Sequence, residues 1–355
     1  MSIWNDVRGQ DAAIAMLRTS VRRGRLAHAY AFFGPGGVGR AVVARKLAQC
    51  LFCTTVADEE LDACGECPAC KQMQAGSHPD FLTLKKPAGK RDIPIDLVAG
   101  AKERRGREGL NFELAMRPMS APRRFALIED ADAMTVESAN ALLKTLEEPP
   151  PGAVMVLVAR SPDAVLPTIN SRVQPLHLAP LSERDVADLL VETQEASRDD
   201  AAAAAAVCGG SLDTAVQLLD ADLRSLRTAA SRSLSGEPMN AVVASGAVIA
   251  ALDELGGDAS EKRVRAEWAV RFVVEELRTA ARSLAQGGAA PEALKRQLPA
   301  DAGESLEILS DMVDRCVTAE SAVARMTPVP LALEGLFDDL ATLLRRADRP
   351  VLSFD

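Results

Sequence analysis

The chain has 355 residues and a formal net charge of −9, and 48% of its residues are apolar while 26% are charged. This length predicts about two or three domains, and the composition is typical of a globular protein. The negative net charge argues against a protein that coats nucleic acid by itself. No apolar run approaches the roughly 20 residues that span a bilayer, and the polar start of the chain lacks an apolar signal segment. We therefore expect a cytoplasmic protein with no membrane partner.

A glycine-rich loop follows the first predicted strand, the apolar run 29–33, and precedes a helical pattern at 42–48. Strand, glycine loop and helix together are the context in which backbone N–H groups bind phosphate. The candidate phosphate-binding residues are Gly34, Gly36, Gly37, Gly39 and Arg40.

The two positions after the last glycine of this loop hold Arg40 and Ala41. A working loop has lysine there, which reaches the terminal phosphates, and then a serine or threonine, which holds Mg²⁺. Arginine lacks the compact point charge of lysine, and alanine cannot bind a metal. We therefore predict the architecture of a nucleotide site without ATP hydrolysis. Whether nucleotide binds without turnover stays open at this point.

Four cysteines lie close together, at Cys53, Cys64, Cys67 and Cys70. Two consecutive Cys-x2-Cys steps favour a tight metal turn, and four thiolates close a tetrahedral structural zinc site. A disulfide cluster is disfavoured in a reducing cytoplasm. Cys50 could replace Cys53 as a ligand, but its position on the inward face of the preceding helix favours Cys53. The predicted zinc module covers about residues 52–72.

A second candidate nucleotide feature is the segment 124–132, which is predicted as a buried strand ending in acidic residues. In a nucleotide hydrolase such a strand directs one carboxylate toward Mg²⁺ and one toward the attacking water. Here the order is Glu129 then Asp130, the reverse of the usual one, which indicates a degenerate site. Acidic residues at this place also cap helices, so the two roles stay open on this pattern alone.

The remaining strong pattern is an apolar stripe at positions 139, 142, 143 and 146, which predicts a helix stopped by Pro149 and Pro150. Predicted strands follow at 154–158 and 174–178. Ser171 and Arg172 stand just before the last of these strands.

In chain order, the segment 4–10, the loop at 34–41, the cysteine cluster, the segment 139–150 and Ser171-Arg172 resemble the bacterial DNA polymerase III clamp-loader family of AAA+ proteins. The resemblance covers about the first 225 residues, and the rest shares only helical character. It implies an α/β fold in which residues 1–178 form an AAA+ P-loop domain with a parallel sheet and the zinc-binding insertion. A small helical lid would follow at 179–230, and an all-helical C-terminal collar for oligomerisation at 236–355.

Departures from the family pattern concern the residues that contact ATP within one subunit. The gamma/tau ATPase of the family would carry lysine and threonine in the loop, a threonine near position 159 and an arginine at position 213. This chain has Arg40-Ala41, Ala159-Arg160 and Asp213 there. Ser171-Arg172 is intact, and the family presents that pair to the nucleotide of a neighbouring subunit, where the arginine acts as a finger.

The resemblance therefore implies a non-hydrolysing stator subunit that helps to load a sliding clamp onto primed DNA. Its catalytic contribution would come from Arg172, with Ser171, acting in trans on a neighbouring ATPase subunit. The implied partners are gamma/tau and delta subunits in a hetero-pentamer, with the clamp and primer–template DNA contacted through the complex. The alternative is a gamma/tau-like ATP-hydrolysing motor that uses Arg40 in place of lysine.

Overall fold

The structure is a computed structural model that describes residues 2–87, 90–236, 238–325 and 327–347. The chain divides into two compact units. The first comprises Met1–Glu195 with Gly209–Thr214, and the second comprises Ala196–Cys208 with Ala215–Asp355. The division into P-loop domain, lid and collar stays a prediction.

The first unit is built on a five-stranded sheet in the order β2-β3-β4-β1-β5, with every pair parallel. The strands are β1 (Ala29–Phe33), β2 (Phe81–Leu84), β3 (Arg124–Ile128), β4 (Ala153–Ala159) and β5 (Gln174–His177). All residues of β1, β3 and β4 are buried, as expected of central parallel strands that are covered on both faces. The predicted α/β fold with a parallel sheet is confirmed.

Helices connect these strands and make up the second unit. In chain order they are α1 (Asp11–Arg22), α2 (Arg40–Phe52), α3 (Pro68–Gln74), α4 (Ile95–Ala99), α5 (Leu110–Ala115), α6 (Val136–Glu147), α7 (Pro167–Asn170), α8 (Glu183–Gln194), α9 (Arg198–Val207), α10 (Leu212–Leu219), α11 (Ala221–Ser233), α12 (Ala241–Glu254), α13 (Ala259–Ala285), α14 (Glu292–Lys295), α15 (Ala302–Ala324) and α16 (Val329–Ala347). Among the described residues, no helix combines the length and apolar character needed to cross a membrane.

The helix α6 illustrates how the sequence defines an element. Thr135 caps it, because its hydroxyl accepts a hydrogen bond from the backbone N–H of Ser138 at 3.1 Å. Its inward stripe buries Ala139, Leu142 and Leu146, and burying each leucine contributes roughly 2 kcal/mol. The helix ends at Glu147, two residues before the prolines that cannot continue it.

The second unit is helical throughout the regular elements that the structure describes there. Its core is formed by apolar side chains of α11 to α16, among them Trp268, Phe272, Leu277, Phe337 and Leu340. Trp268 and Phe272 pack with ring centroids 6.1 Å apart. The predicted helical C-terminal region is confirmed.

Candidate functional site

The glycine loop connects β1 to α2 at the carboxyl edge of the sheet. Gly34 has φ 154°, and a Cβ there would lie 2.7 Å from the carbonyl oxygen of Leu178. Gly39, with φ 92°, stands at the N-terminus of α2, which is 13 residues long. The loop therefore needs glycine for its backbone, and it lies at the positive end of a long helix, an arrangement that favours anions.

Arg40 is the first residue of α2. Its Nη1 atom is buried and has no hydrogen-bond partner among the described residues. Burial lowers the pKa of its guanidinium, although Asp132, Asp213 and Asp130 act in the opposite direction. The arginine stays charged, since even a lowered arginine pKa lies far above neutrality. Arg40 gives the loop a positive charge. This charge is delocalised over the planar guanidinium group, whereas that of a lysine is concentrated on one nitrogen.

Ser211 and the first turn of α10 pack directly on the glycine loop. The Ser211 hydroxyl donates to the carbonyl oxygen of Gly36 at 2.9 Å. A Cβ on Gly36 would lie 2.6 Å from Asp213 Oδ2. A Cβ on Gly37 would lie 2.5 Å from the backbone nitrogen of Asp213 and 2.7 Å from its Oδ1. The carboxylate of Asp213 therefore lies against the two central glycines.

The acidic residues after β3 lie beyond the strand, which ends at Ile128 instead of continuing to position 132 as predicted. Asp130 has φ 52°, a left-handed conformation that terminates the strand. The carboxylate of Glu129 is paired with Arg45 of α2. Asp132 accepts a hydrogen bond from Arg160 Nε at 2.7 Å. The Glu129 carboxylate is therefore engaged by a cation of its own subunit.

Ser171 and Arg172 lie at the opposite edge of the sheet from the glycine loop. Arg172 Nε and Nη2 donate to Glu147 Oε1 at 2.8 and 2.7 Å. Its Nη1 donates to the carbonyl oxygen of Thr168 and to Ser171 Oγ, both at 3.0 Å. The side chain is 36% exposed. The pair is thus held together locally at the surface.

The separation of Arg172 from the loop follows from the strand pairing. Tyr30 pairs with Gln174 and Phe33 with His177, so β5 runs alongside β1 in the same direction. Arg172 precedes β5, whereas Gly34 follows β1. At about 3.3 Å per residue, β5 alone places roughly 10 Å between the two edges. Arg172 therefore does not belong to the glycine loop of its own subunit.

The four cysteines of the predicted zinc module form one cluster. The sulfur atoms of Cys53, Cys64, Cys67 and Cys70 all lie within 4.8 Å of one another. The sulfurs of Cys53 and Cys64 are 3.7 Å apart, close to the ~3.8 Å edge of a tetrahedron with a metal–sulfur distance of about 2.3 Å. Cys50 is fully buried within α2 and does not belong to this group. The cluster could hold a metal ion.

Backbone groups support thiolates in this cluster. The N–H groups of Val56, Cys67 and Cys70 point to the sulfurs of Cys53, Cys64 and Cys67 at 3.3 to 3.5 Å. Burial disfavours the Cys67 thiolate, but hydrogen bonds from Thr54 and Cys70 outweigh it and lower its pKa to about 6. Burial raises the pKa of Cys70 to about 12. A metal ion would convert the whole set to thiolates. The residues therefore fit a soft divalent cation.

The sequence did not predict one feature at the carboxyl edge of the sheet, the ion pair between Arg45 and Glu129. No spacing rule joins residues that far apart in the chain, and an arginine within a helix normally indicates only a solvated face. The sequence did single out Asp213 as a departure from the family pattern, but it did not predict the contact of Asp213 with the glycine loop.

The parallel sheet order, the glycine loop after β1 and the acidic residues after β3 define a P-loop protein of the AAA+ class. Residues 9–182 match the family model described as DNA polymerase III, delta subunit. A Pseudomonas aeruginosa protein named DNA polymerase III subunit delta' is 39% identical over 150 residues, which are 42% of this chain and 42% of that protein. A Bacillus subtilis protein of the same name is 33% identical over 183 residues, covering 52% of this chain and 51% of that one.

Similarity extends to proteins named as tau/gamma subunits. The DNA polymerase III subunit tau/gamma of Haemophilus influenzae is 35% identical over 192 residues, which are 54% of this chain and 26% of that protein. The chain spans about half the length of the delta' relatives it matches. Residues 9–182 of this chain belong to the clamp-loader family of DNA polymerase III.

Proposed function

We propose that this chain is a delta-prime subunit, a non-hydrolysing stator of the DNA polymerase III clamp loader. It assembles with gamma/tau and delta subunits in a hetero-pentamer that places the sliding clamp on primed DNA in the cytoplasm. One observation carries the proposal. The glycine loop at the carboxyl edge of the sheet has no lysine, whereas Ser171 and Arg172 are present at the amino edge, before β5.

The glycine loop at the carboxyl edge of the sheet has neither the lysine nor the hydroxyl of a working ATP site. Ala41 offers no hydroxyl to Mg²⁺, and the Glu129 carboxylate is paired with Arg45. Transfer of a phosphoryl group depends on positioning by these parts. A subunit without them can contribute structure to a complex, but no turnover of its own.

The amino edge offers an arginine to a neighbour. In this proposal, the Arg172 guanidinium leaves the Glu147 carboxylate and approaches the terminal phosphate of ATP bound by an adjacent gamma/tau subunit. There it stabilises the charge that develops on the transferred phosphoryl group. Ser171 positions it through the 3.0 Å hydrogen bond from Nη1 to Oγ.

The four-cysteine cluster is a structural zinc site in this proposal. Zn²⁺ prefers four thiolates in a closed tetrahedral set, and a closed set leaves no open position for a substrate. The ion would hold the chain between α2 and α3 in place, since Cys53 directly follows α2 and Cys70 lies within α3.

The competing assignment is a gamma/tau-like motor that uses Arg40 in place of lysine. Measuring ATP turnover by the isolated chain decides between the two, with the Arg40→Ala variant as the background. We expect the wild-type chain to turn over ATP no faster than this variant. Turnover by the wild-type chain that Arg40→Ala abolishes would instead identify a motor subunit.

A further inference from the structure

We propose that Asp213 is a built-in anion that blocks the phosphate-binding loop, and that its removal opens a site for polyphosphates. The proposal rests on the proposed function, because it supplies a reason for the missing nucleotide site, but it concerns a different residue from Arg172. In this proposal, the carboxylate of Asp213 disfavours the binding of phosphate ligands at the glycine loop.

The backbone position of Asp213 is fixed by its neighbours. The backbone N–H of Leu181 donates to the carbonyl oxygen of Gly210 at 3.0 Å. Ser211 then bridges the two segments, because its hydroxyl donates to Gly36 and accepts from the N–H of Thr214 at 3.2 Å. Asp213 lies between these anchors, so its backbone is held against the loop, and its carboxylate lies against Gly36 and Gly37.

The contact depends on both shape and charge. The two glycines leave no Cβ on the loop face, and Asp213 fills that space: the distances of 2.6 and 2.7 Å show that even a methyl group on either glycine would collide with its carboxylate. A phosphate that approached the same face would meet a like charge. Across a few ångströms near a protein surface, that repulsion corresponds to roughly a tenfold to hundredfold loss of affinity.

The rest of the anion site is already present. The loop lies at the N-terminus of α2, where backbone N–H groups favour negative charge. Arg40 has a buried guanidinium nitrogen without a hydrogen-bond partner among the described residues, and such atoms are uncommon because they cost free energy. Arg40 and the N-terminus of α2 therefore attract an anion to the same loop from which the carboxylate of Asp213 repels it.

The test is binding of inorganic tripolyphosphate by titration calorimetry, without Mg²⁺, to the full chain and to variants. Asp213→Asn removes only the charge, and Asp213→Ala removes the carboxylate altogether. Asp199→Asn is the matched control, since Asp199 is an exposed acid in the first turn of α9. Thermal unfolding curves check that each variant is folded, and the near-isosteric asparagine keeps the test valid if alanine disturbs the packing.

We expect Asp213→Asn and Asp213→Ala to bind tripolyphosphate at least tenfold more tightly than the wild-type chain, with no gain for Asp199→Asn. Adding Arg40→Ala to Asp213→Ala should abolish the gain. The proposal is overturned if neither variant gains affinity, if the control gains as much, or if the wild-type chain binds equally tightly. None of these results bears on Arg172, whereas ATP turnover by the wild-type chain would overturn the proposed function.

Discussion

Arg172 and Glu147 are joined by two guanidinium nitrogens that donate to one carboxylate oxygen, at 2.8 and 2.7 Å. Both side chains are substantially exposed, at 36% and 50%. An ion pair in this setting is solvated and contributes little to folding. Breaking the pair should therefore cost little free energy of folding.

The first prediction concerns this pair. Glu147→Gln should lower the free energy of unfolding by at most about 0.5 kcal/mol, and the difference should disappear at high salt, which screens exposed charges. Urea denaturation at low and high ionic strength measures it, with Glu148→Gln as the neighbouring control. A loss of about 2 kcal/mol or more would mean that the pair holds the fold together.

The second prediction concerns the metal. The purified chain should carry one zinc ion, and Cys67→Ser should lose it and unfold around residues 52–72, because the remaining thiolates have no other cation. Elemental analysis under reducing conditions measures the zinc content. Cys50→Ala is the control that should keep the ion, since Cys50 is buried within α2 and lies outside the four-sulfur cluster. Loss of zinc from Cys50→Ala with retention in Cys53→Ser would reverse the ligand assignment.

The third prediction concerns Asp80, a fully buried carboxylate. It accepts hydrogen bonds from the backbone N–H groups of Met119, Ser120 and Ala121 at 2.7 to 2.9 Å. Burial alone would raise the pKa of Asp80, but these bonds outweigh it, so the pKa is lower in the folded protein. Asp80 thus fixes the turn that leads into β3.

The direction of the pH dependence follows from that shift. The stabilisation by Asp80 is fully present above the unfolded-state pKa of about 3.9 and is lost as pH falls through the lower folded-state pKa. Asp80→Asn should lower the free energy of unfolding near neutral pH by about 2–3 kcal/mol and weaken its acid dependence. Asp96→Asn, at an exposed position of α4, should do neither. Equal pH profiles for Asp80→Asn and the wild-type chain would contradict this role.

Local patterns predicted much of this fold. The apolar runs at 29–33 and 154–158 became buried strands because central parallel strands are covered on both faces. Ser182 caps α8, accepting from the N–H of Asp185 at 3.1 Å, as such a residue at a helix start does. Each of these signals lies within a few residues of the element that it defines.

Long-range pairings were beyond the reach of the sequence. Arg45 meets Glu129, and Asp80 meets the turn at 119–121, only because the sheet brings distant segments together. The strand predicted over 124–132 stopped at Ile128, since Asp130 adopts a left-handed backbone that no local pattern required. The glycine loop and the acidic residues after β3 could thus be located from the sequence, but the ion pairs that these acidic residues form could not.

The most direct test of the central claim is the ATPase rate of a reconstituted clamp loader that contains Arg172→Ala in this subunit. Arginine fingers stabilise the transition state by about 10³-fold or more at one site, while the neighbouring sites keep their own arginines. We therefore expect assembly at the wild-type level, shown by gel filtration, with a partial but clear fall in DNA-stimulated ATPase and clamp-loading rates. Arg184→Ala, at a side chain that is 90% exposed, should leave both rates unchanged. An Arg172→Ala complex that assembles and works at the wild-type rate would contradict the trans-acting role.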